Sequence, residues 1–270
     1  MRPPSNIIDA HAHCGRMDRF PPQDVGDYIS HLGKSGIGAA VMFPPVSEIY
    51  NRYDPGFHDT DQWRERRREA NAYLLGLSGP DLTVYPFLFI WNDFAVHQLT
   101  PAHKGIKWHR HSDEPPYDYA SPFCAAAVAE IRRRDLPVCL EEEFENTLYF
   151  IRELAQGVKV IIPHLGLLNG GYEKFRRLDI WALPHIYADT ALAPPGDIKD
   201  YVSRYGHERI MFGSDFPFGD PVHELDKIMR LDLTDEQKAA IVGLNAANLF
   251  SSSNQGPLMV RTLSAEANRS

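Results

Sequence analysis

Short apolar runs alternate with stretches of helical spacing along nearly the whole chain, and that alternation constrains the fold more than any other feature. The runs fall at 7–13, 37–43, 83–90, 105–109, 136–141, 158–163, 186–189 and 209–215, each reading as a predicted strand. Predicted helices lie between and after them, at 23–34, 61–78, 122–134, 146–156, 197–205 and 234–250. In the first of these, Val25, Ile29 and Leu32 recur at helical spacing and Gly33 and Gly36 end the helix. In the last, Thr234 stands as N-cap with Glu236 close behind. Strands separated by helices run parallel, and eight of them imply closure into a (β/α)8 barrel. A chain of 270 residues is long enough, since such a barrel takes about 250. The expected organisation is α/β, one TIM-type barrel domain over 1–250 and a flexible C-terminal tail over 251–270.

A barrel of this kind gathers the C-terminal ends of its strands at one mouth. The residues placed there are His11 and His13 after the first strand, Lys107 and His109 on the fourth, Glu141 on the fifth, His164 after the sixth and Asp215 on the eighth. His11 and His13 stand two apart on a strand, so both imidazoles face the same side and converge on one point. Metal binding is the commonest reason for that arrangement, because neutral imidazole is a good ligand. Each residue alone has a plain alternative as a hydrogen-bonded or solvated group. Agreement among five strand ends favours a site.

Composition narrows the ligand. The formal net charge of -8 and a pI near 5.8 count against nucleic acid and anionic membranes, leaving a small-molecule substrate. No run approaches the roughly 20 apolar residues that span a bilayer, so no membrane association is expected. Cys14, Cys124 and Cys139 are odd in number and lack CxxC spacing, which argues for a reducing compartment; with no signal-like segment before residue 7, the expected location is cytoplasmic. A homo-oligomer is left open.

Other features read more plainly. The irregular stretch 46–61 suggests a substrate lid, and 110–121 a second selecting loop. The arginine run at 64–68 reads as a solvated helix face with ion pairs. Trp91, Trp108 and Cys14 read as packing residues, and the remaining histidines as structural or solvated, His111 alone lying close enough to strand four to reach a substrate.

The motifs IIDAHAH at 7–13, GIKWH at 105–109, LPVCLEE at 136–142, IIPHLG at 161–166, RIMFGSDFPFGDP at 209–221 and NAANLF at 245–250 together resemble the amidohydrolase superfamily. The similarity is to its amidohydrolase-related branch of metal-dependent hydrolases and decarboxylases, which includes aminocarboxymuconate-semialdehyde decarboxylase. The resemblance implies a distorted barrel and a catalytic divalent metal. It makes His11 and His13 metal ligands, Asp215 a ligand and proton shuttle, and His164 a ligand or acid/base group. Lys107 is an additional ligand position, carboxylated in some relatives. Glu141 stands where relatives of the form LPVLIH carry a histidine; a carboxylate is a competent ligand and favours harder ions. Glu142 or Glu143 in its place, or a site without catalytic power, are the alternatives there. The expected metal set is thus His11, His13, Glu141, His164 and Asp215, with zinc as first choice and manganese or iron as alternatives.

The resulting expectation is a hydrolase of a small amide, lactone or ester. Asp215 acts as base, and His164 or His109 stabilises the oxyanion. The alternatives are a metal-dependent non-oxidative decarboxylase of a small carboxylated substrate and a non-catalytic barrel acting as a binding protein. A TatD-type deoxyribonuclease is disfavoured by the acidic balance and by the lack of a glutamate on strand four.

Overall fold

Residues 7–16 and 23–251 are described by the computed structural model. Among them, eight parallel strands pair in sequence order: β1 (Ile7–His13), β2 (Ile37–Phe43), β3 (Thr83–Phe89), β4 (Gly105–His109), β5 (Val138–Glu141), β6 (Val160–Ile162), β7 (Ile186–Asp189) and β8 (Ile210–Met211). The ring closes through residues beyond β8: the Ala10 amide donates to the Phe212 carbonyl at 2.8 Å, the Asp215 amide to the His11 carbonyl at 2.7 Å, and the His13 amide to the Phe216 carbonyl at 2.8 Å. The fold is therefore a distorted single-domain (β/α)8 barrel, as the alternation predicts. The expected tail lies, from residue 252 on, outside the described residues.

Most strands are buried on both faces, which is why they read as unbroken apolar runs. Inward-facing Ile8, Ala39, Val41, Phe87, Ile161 and Met211 form one cluster with Ala246, Leu249 and Phe250 of the last helix. The outer strand faces meet the helices, including α1 (Val25–Leu32) through Tyr28 and Leu32, and α2 (Asp61–Leu74) through Leu74. Fully burying an aliphatic or aromatic side chain contributes about 1.5–3 kcal/mol.

A bulge in β1 sets up the site. Asp9 pairs with Ala40 but Ala12 pairs with Met42, so β1 spends three residues where β2 spends two. One extra residue reverses the facing of everything after it. Ile8 and Ala10 face the barrel interior, and beyond the bulge His11 and His13 do so as well, while Ala12 packs outward.

Several expectations are corrected. Arg67 is not solvated. It falls on the inner face of α2 with Ala70, Asn71 and Leu74, at spacings of three and four, and is buried there. Its guanidinium donates to Asp59 at 2.9 Å, to Asp93 at 2.6 Å and to the Ile49 carbonyl at 2.8 Å. Arg64 does pair on the surface, with Asp61 at 2.7 Å, and Arg68 pairs with Glu65. The stretch 46–61, expected as a lid, does line the mouth, with Val46, Ile49 and Tyr50 buried.

Helix α3 (Pro122–Arg133) lies within one residue of its expected span, and α4 (Phe144–Tyr149) continues into a π-helical turn at Phe150–Leu154. A short α5 (Tyr172–Arg177) and then α6 (Pro195–Tyr205) follow. The eighth strand holds only two residues, because Phe212 turns its amide to the Ile241 carbonyl and Asp215 takes φ of 57°. A helix not anticipated, α7 (Pro221–Arg230), starts there, capped by the Asp220 carboxylate accepting from the amides of Val222 and His223. The expected 234–250 helix divides into α8 (Asp235–Ala239), a π-helical turn at Ala240–Leu244 and α9 (Asn245–Ser251). Thr234 caps it as expected, with Gln237 as its reciprocal partner in place of Glu236. No helix among the described residues is long and apolar enough to cross a membrane.

Candidate metal centre

The imidazole of His11 is oriented from behind. Its Nδ1 lies 2.8 Å from Asp189 Oδ2 at the end of β7. A carboxylate only accepts, so Nδ1 carries the proton and Nε2 presents a lone pair to the mouth. That Nε2 is 3.4 Å from Asp215 Oδ1, and His13 Nε2 is 3.3 Å from the same oxygen. Ligands held about 2.0–2.1 Å from a tetrahedral ion stand about 3.3–3.4 Å from one another, so the distances from Asp215 to the two histidines suit a divalent cation, and all three donors lie within 4.8 Å of one another.

His164 completes the group. Its Nδ1 is 3.0 Å from the Ala191 carbonyl, which again requires a proton on Nδ1 and turns Nε2 to the mouth. That nitrogen stands 3.6 Å from Glu141 Oε2, and His11, Glu141 and His164 all place ligand atoms within 4.8 Å of one another. Both His164 (φ 56°) and Asp215 (φ 57°) occupy the left-handed region, at a cost of order 1–3 kcal/mol each. Asp189 Oδ1 holds the first by accepting from the His164 amide at 2.9 Å, and the His11 carbonyl holds the second.

Electrostatics keep His11 neutral and Asp215 and Glu141 ionised, whereas Glu141 and Asp215, against burial, raise His164 to about 9, so an ion binding there would displace its Nε2 proton. Burial, reinforced by nearby Lys107, lowers the pKa of His11 against the pull of Asp189, so the ring is neutral. Burial pushes the Asp215 carboxyl up, but His13, His11 and His164 more than reverse this and hold it below its usual range. Glu141 is held well below its usual range in the same way: burial opposes ionisation, and His109, Lys107 and His111 outweigh it. His109 is depressed to about 4 by burial, which Glu141 only partly offsets.

Glu141 is the hub. Its Oε2 accepts from Lys107 Nζ at 3.0 Å, while Oε1 is 3.1 Å from His109 Nε2 and 2.8 Å from His111 Nε2. Lys107 is wholly buried, 3.5 Å from His11 Nε2 and 4.3 Å above the Phe43 ring. Burial opposes its charge, but Cys139, Glu141 and Asp215 raise its pKa to about 12. As an ammonium it contributes positive charge rather than a lone pair. Glu142 and Glu143 do not reach the centre: Arg110 takes both, at 2.8 and 2.5 Å, and Tyr119 donates to Glu142 at 2.6 Å.

The centre opens into a cavity of about 340 Å³ walled by Ser47, Arg52, His111, Leu168 and Phe218, with His13, His109, Glu141 and Asp215 also on its lining. Sequence reasoning did not single out Asp189, although its place as the last residue of a strand marks it as mouth-facing. Nor did it single out Arg52 and Glu114, which carry no local signal. Asp9, inside the IIDAHAH motif, is a clamp: it accepts from Tyr28, from the Ser214 hydroxyl and amide, and from the His11 amide, tying β1 to the segment after β8.

Fold and donors together define a barrel enzyme whose C-terminal mouth carries groups that could hold a metal ion. Residues 103–251, more than half of the chain, match the family model described as amidohydrolase, and the chain belongs to that family. Solved structures share the barrel. A 2,6-dihydroxybenzoate decarboxylase from Rhizobium is 17% identical with a TM-score of 0.70, over 92% of this chain and 99% of that one. A dihydroxybenzoic acid decarboxylase from Polaromonas, with bound manganese and the inhibitor 2-nitroresorcinol, is 16% identical with a TM-score of 0.68, over 92% and 97%. A putative 2-pyrone-4,6-dicarboxylic acid hydrolase from Pseudomonas putida is 17% identical with a TM-score of 0.61, over 92% and 98%. No curated protein matches the chain.

Proposed function

We propose that the chain is a divalent-metal-dependent hydrolase cleaving an amide, lactone or ester of a small carboxylated molecule. The observation that carries this reading is the ionised Asp215, whose Oδ1 stands 3.4 and 3.3 Å from Nε2 of His11 and His13 on the wall of a cavity of small-molecule size. His11, His13, Asp215 and His164 would hold the ion, with Glu141 beside them. When bound, a divalent cation supplies Lewis acidity, polarising a carbonyl and lowering the pKa of water toward 7. Asp215 accepts the proton of the attacking water and returns it to the leaving group. With no second ion bound, His109, neutral through burial, would swing its Nε2–H, now 3.1 Å from Glu141 Oε1, to the developing oxyanion. Arg52 faces the cavity and suits a substrate carboxylate.

Zinc is the first candidate ion, and the two carboxylates among three imidazoles keep manganese or iron as alternatives. The three buried, unpaired thiols suit a reducing compartment such as the cytoplasm.

A second reading is non-oxidative decarboxylation, which needs a proton donor beside the substrate carbon. His164 supplies one: despite burial, Glu141 and Asp215 raise its pKa to about 9. The shared barrel of the dihydroxybenzoate decarboxylases supports this alternative. Metal-loaded protein incubated with pyrone lactones, amides and dihydroxybenzoates in ¹⁸O-water separates the two. Label in the organic product supports hydrolysis; release of carbon dioxide with an unlabelled organic product overturns it in favour of decarboxylation. Absence of bound metal together with absence of turnover overturns both.

A further inference from the structure

Beside the centre described above, a second set of donors converges on the other oxygen of Glu141. His109 on β4 and His111 just beyond it repeat the one-residue spacing of His11 and His13, and their Nε2 atoms lie 3.1 and 2.8 Å from Glu141 Oε1. The two rings are 4.8 Å apart, tilted by 50°. Glu141 Oε2 meanwhile faces His164 Nε2 at 3.6 Å, so the one carboxylate addresses both groups, an oxygen to each.

Behind these histidines stands a single buried carboxylate. Glu114 Oε2 is 3.8 Å from His109 Nδ1, and Glu114 Oε1 is 3.6 Å from His111 Nδ1. His109 Nδ1 is buried and has no hydrogen-bond partner. At present Arg52, paired with Glu114, also donates to His111 Nδ1 at 3.2 Å. An arginine only donates, so the His111 proton now sits on Nε2 and bridges to Glu141. Glu114, held by the Tyr50 hydroxyl at 2.6 Å and the His111 amide at 3.0 Å, is the carboxylate that would accept from both Nδ1 atoms once an ion drew the Nε2 lone pairs. A carboxylate behind a metal-binding histidine does this, and Asp189 already does it for His11 at 2.8 Å.

We propose that His109, His111 and Glu141 form a second divalent-metal site, joined to the first through the two oxygens of Glu141 and oriented by Glu114. The proposal rests on the metal-dependent reading of the first centre. Two imidazoles and one carboxylate suit zinc, manganese or iron(II), and a carboxylate bridge makes the pair a two-ion centre able to hold both oxygens of a reacting carboxyl group.

The test uses the full chain, stripped with chelator, dialysed against manganese(II) and read by bound-metal analysis and electron paramagnetic resonance. The expected result is about two ions per chain, with a spin-coupled signal. In His111→Ala about one ion remains and the signal becomes that of an isolated ion; in His13→Ala the other ion is lost. His111→Gln, which keeps a polar side chain at this partly exposed position, is expected to give the same single-ion result, and circular dichroism shows that each variant is folded. One ion in the unaltered chain, still bound in His111→Ala, overturns the second site and leaves the first standing. Two ions unaffected by either His111 variant also overturn it. No bound ion in the unaltered chain overturns both.

Discussion

Asp189 fixes His11 from two strands away: a 2.8 Å hydrogen bond from Nδ1 to Oδ2 joins β1 to β7 past β8 and aims Nε2 at Asp215. The same carboxylate accepts from the amides of His164 and Ala191, so it positions two donors at once. Asp189→Asn keeps the shape and an accepting oxygen but removes the charge that favours the ligating tautomer. Metal affinity is expected to fall about 10–100-fold, measured by equilibrium dialysis, with the fold intact by circular dichroism. Unchanged affinity would remove Asp189 from the centre.

Asp215 has two duties in the proposed reaction, and they separate experimentally. Asp215→Asn retains an oxygen near His11 and His13 but is a poor proton acceptor. With metal kept saturating and its content verified, kcat/KM is expected to drop by about 10²–10⁴. A variant that is fully loaded and fully active would rule out Asp215 as the base.

Arg67 ties α2 to the loop ahead of it and to the segment after β3, so its loss is felt as stability rather than as chemistry. Arg67→Ala leaves Asp59, Asp93 and the Ile49 carbonyl without their donor. Breaking a buried pair from one side costs about 3–5 kcal/mol. The lower end applies, because the two carboxylates are 16% and 15% exposed and regain water. Urea denaturation is the measurement. A cost below about 0.5 kcal/mol, the size of an ordinary surface substitution, would return Arg67 to the solvated role its neighbours have.

The architecture was legible because parallel strands buried on both faces leave continuous apolar runs; 37–43 and 105–109 match β2 and β4 to the residue. The convergence of His11, His13, His164 and Asp215 followed from topology alone. What sequence could not carry is partner choice over long separations. Nothing local marks Asp189 as the partner of His11, or Glu114 as the residue behind His109 and His111. The β1 bulge was equally hidden, since an extra residue in one strand shows only against the register of its neighbour. Arg67 looked like Arg64 and Arg68 because composition dominates a run of charges, although its three- and four-residue spacing from Ala70, Asn71 and Leu74 carried the signal. The helix α7 was missed because its first residues, Pro221 after Asp220, continue a motif that reads as a loop.

His103 provides a pH test away from the metal centre. It is buried near β4, its Nδ1 accepts from the Thr100 amide at 3.0 Å, and its Nε2 has no partner. Burial lowers its pKa from 6.5 to about 4, a shift the Thr100 contact only partly opposes. The unfolded chain therefore binds a proton between about pH 6.5 and 4 that the folded chain refuses. Stability from this residue is complete above pH 6.5 and is lost progressively as the pH falls toward 4, to a limit of about 3 kcal/mol. His103→Asn, whose side-chain oxygen can accept from Thr100 without titrating, isolates the effect from that of the carboxylates. The difference in urea midpoint between the two proteins is expected to change in the variant's favour between pH 7 and pH 4.5. A difference that stays constant over that range would mean that His103 takes up its proton in the folded state, and so that water reaches Nε2.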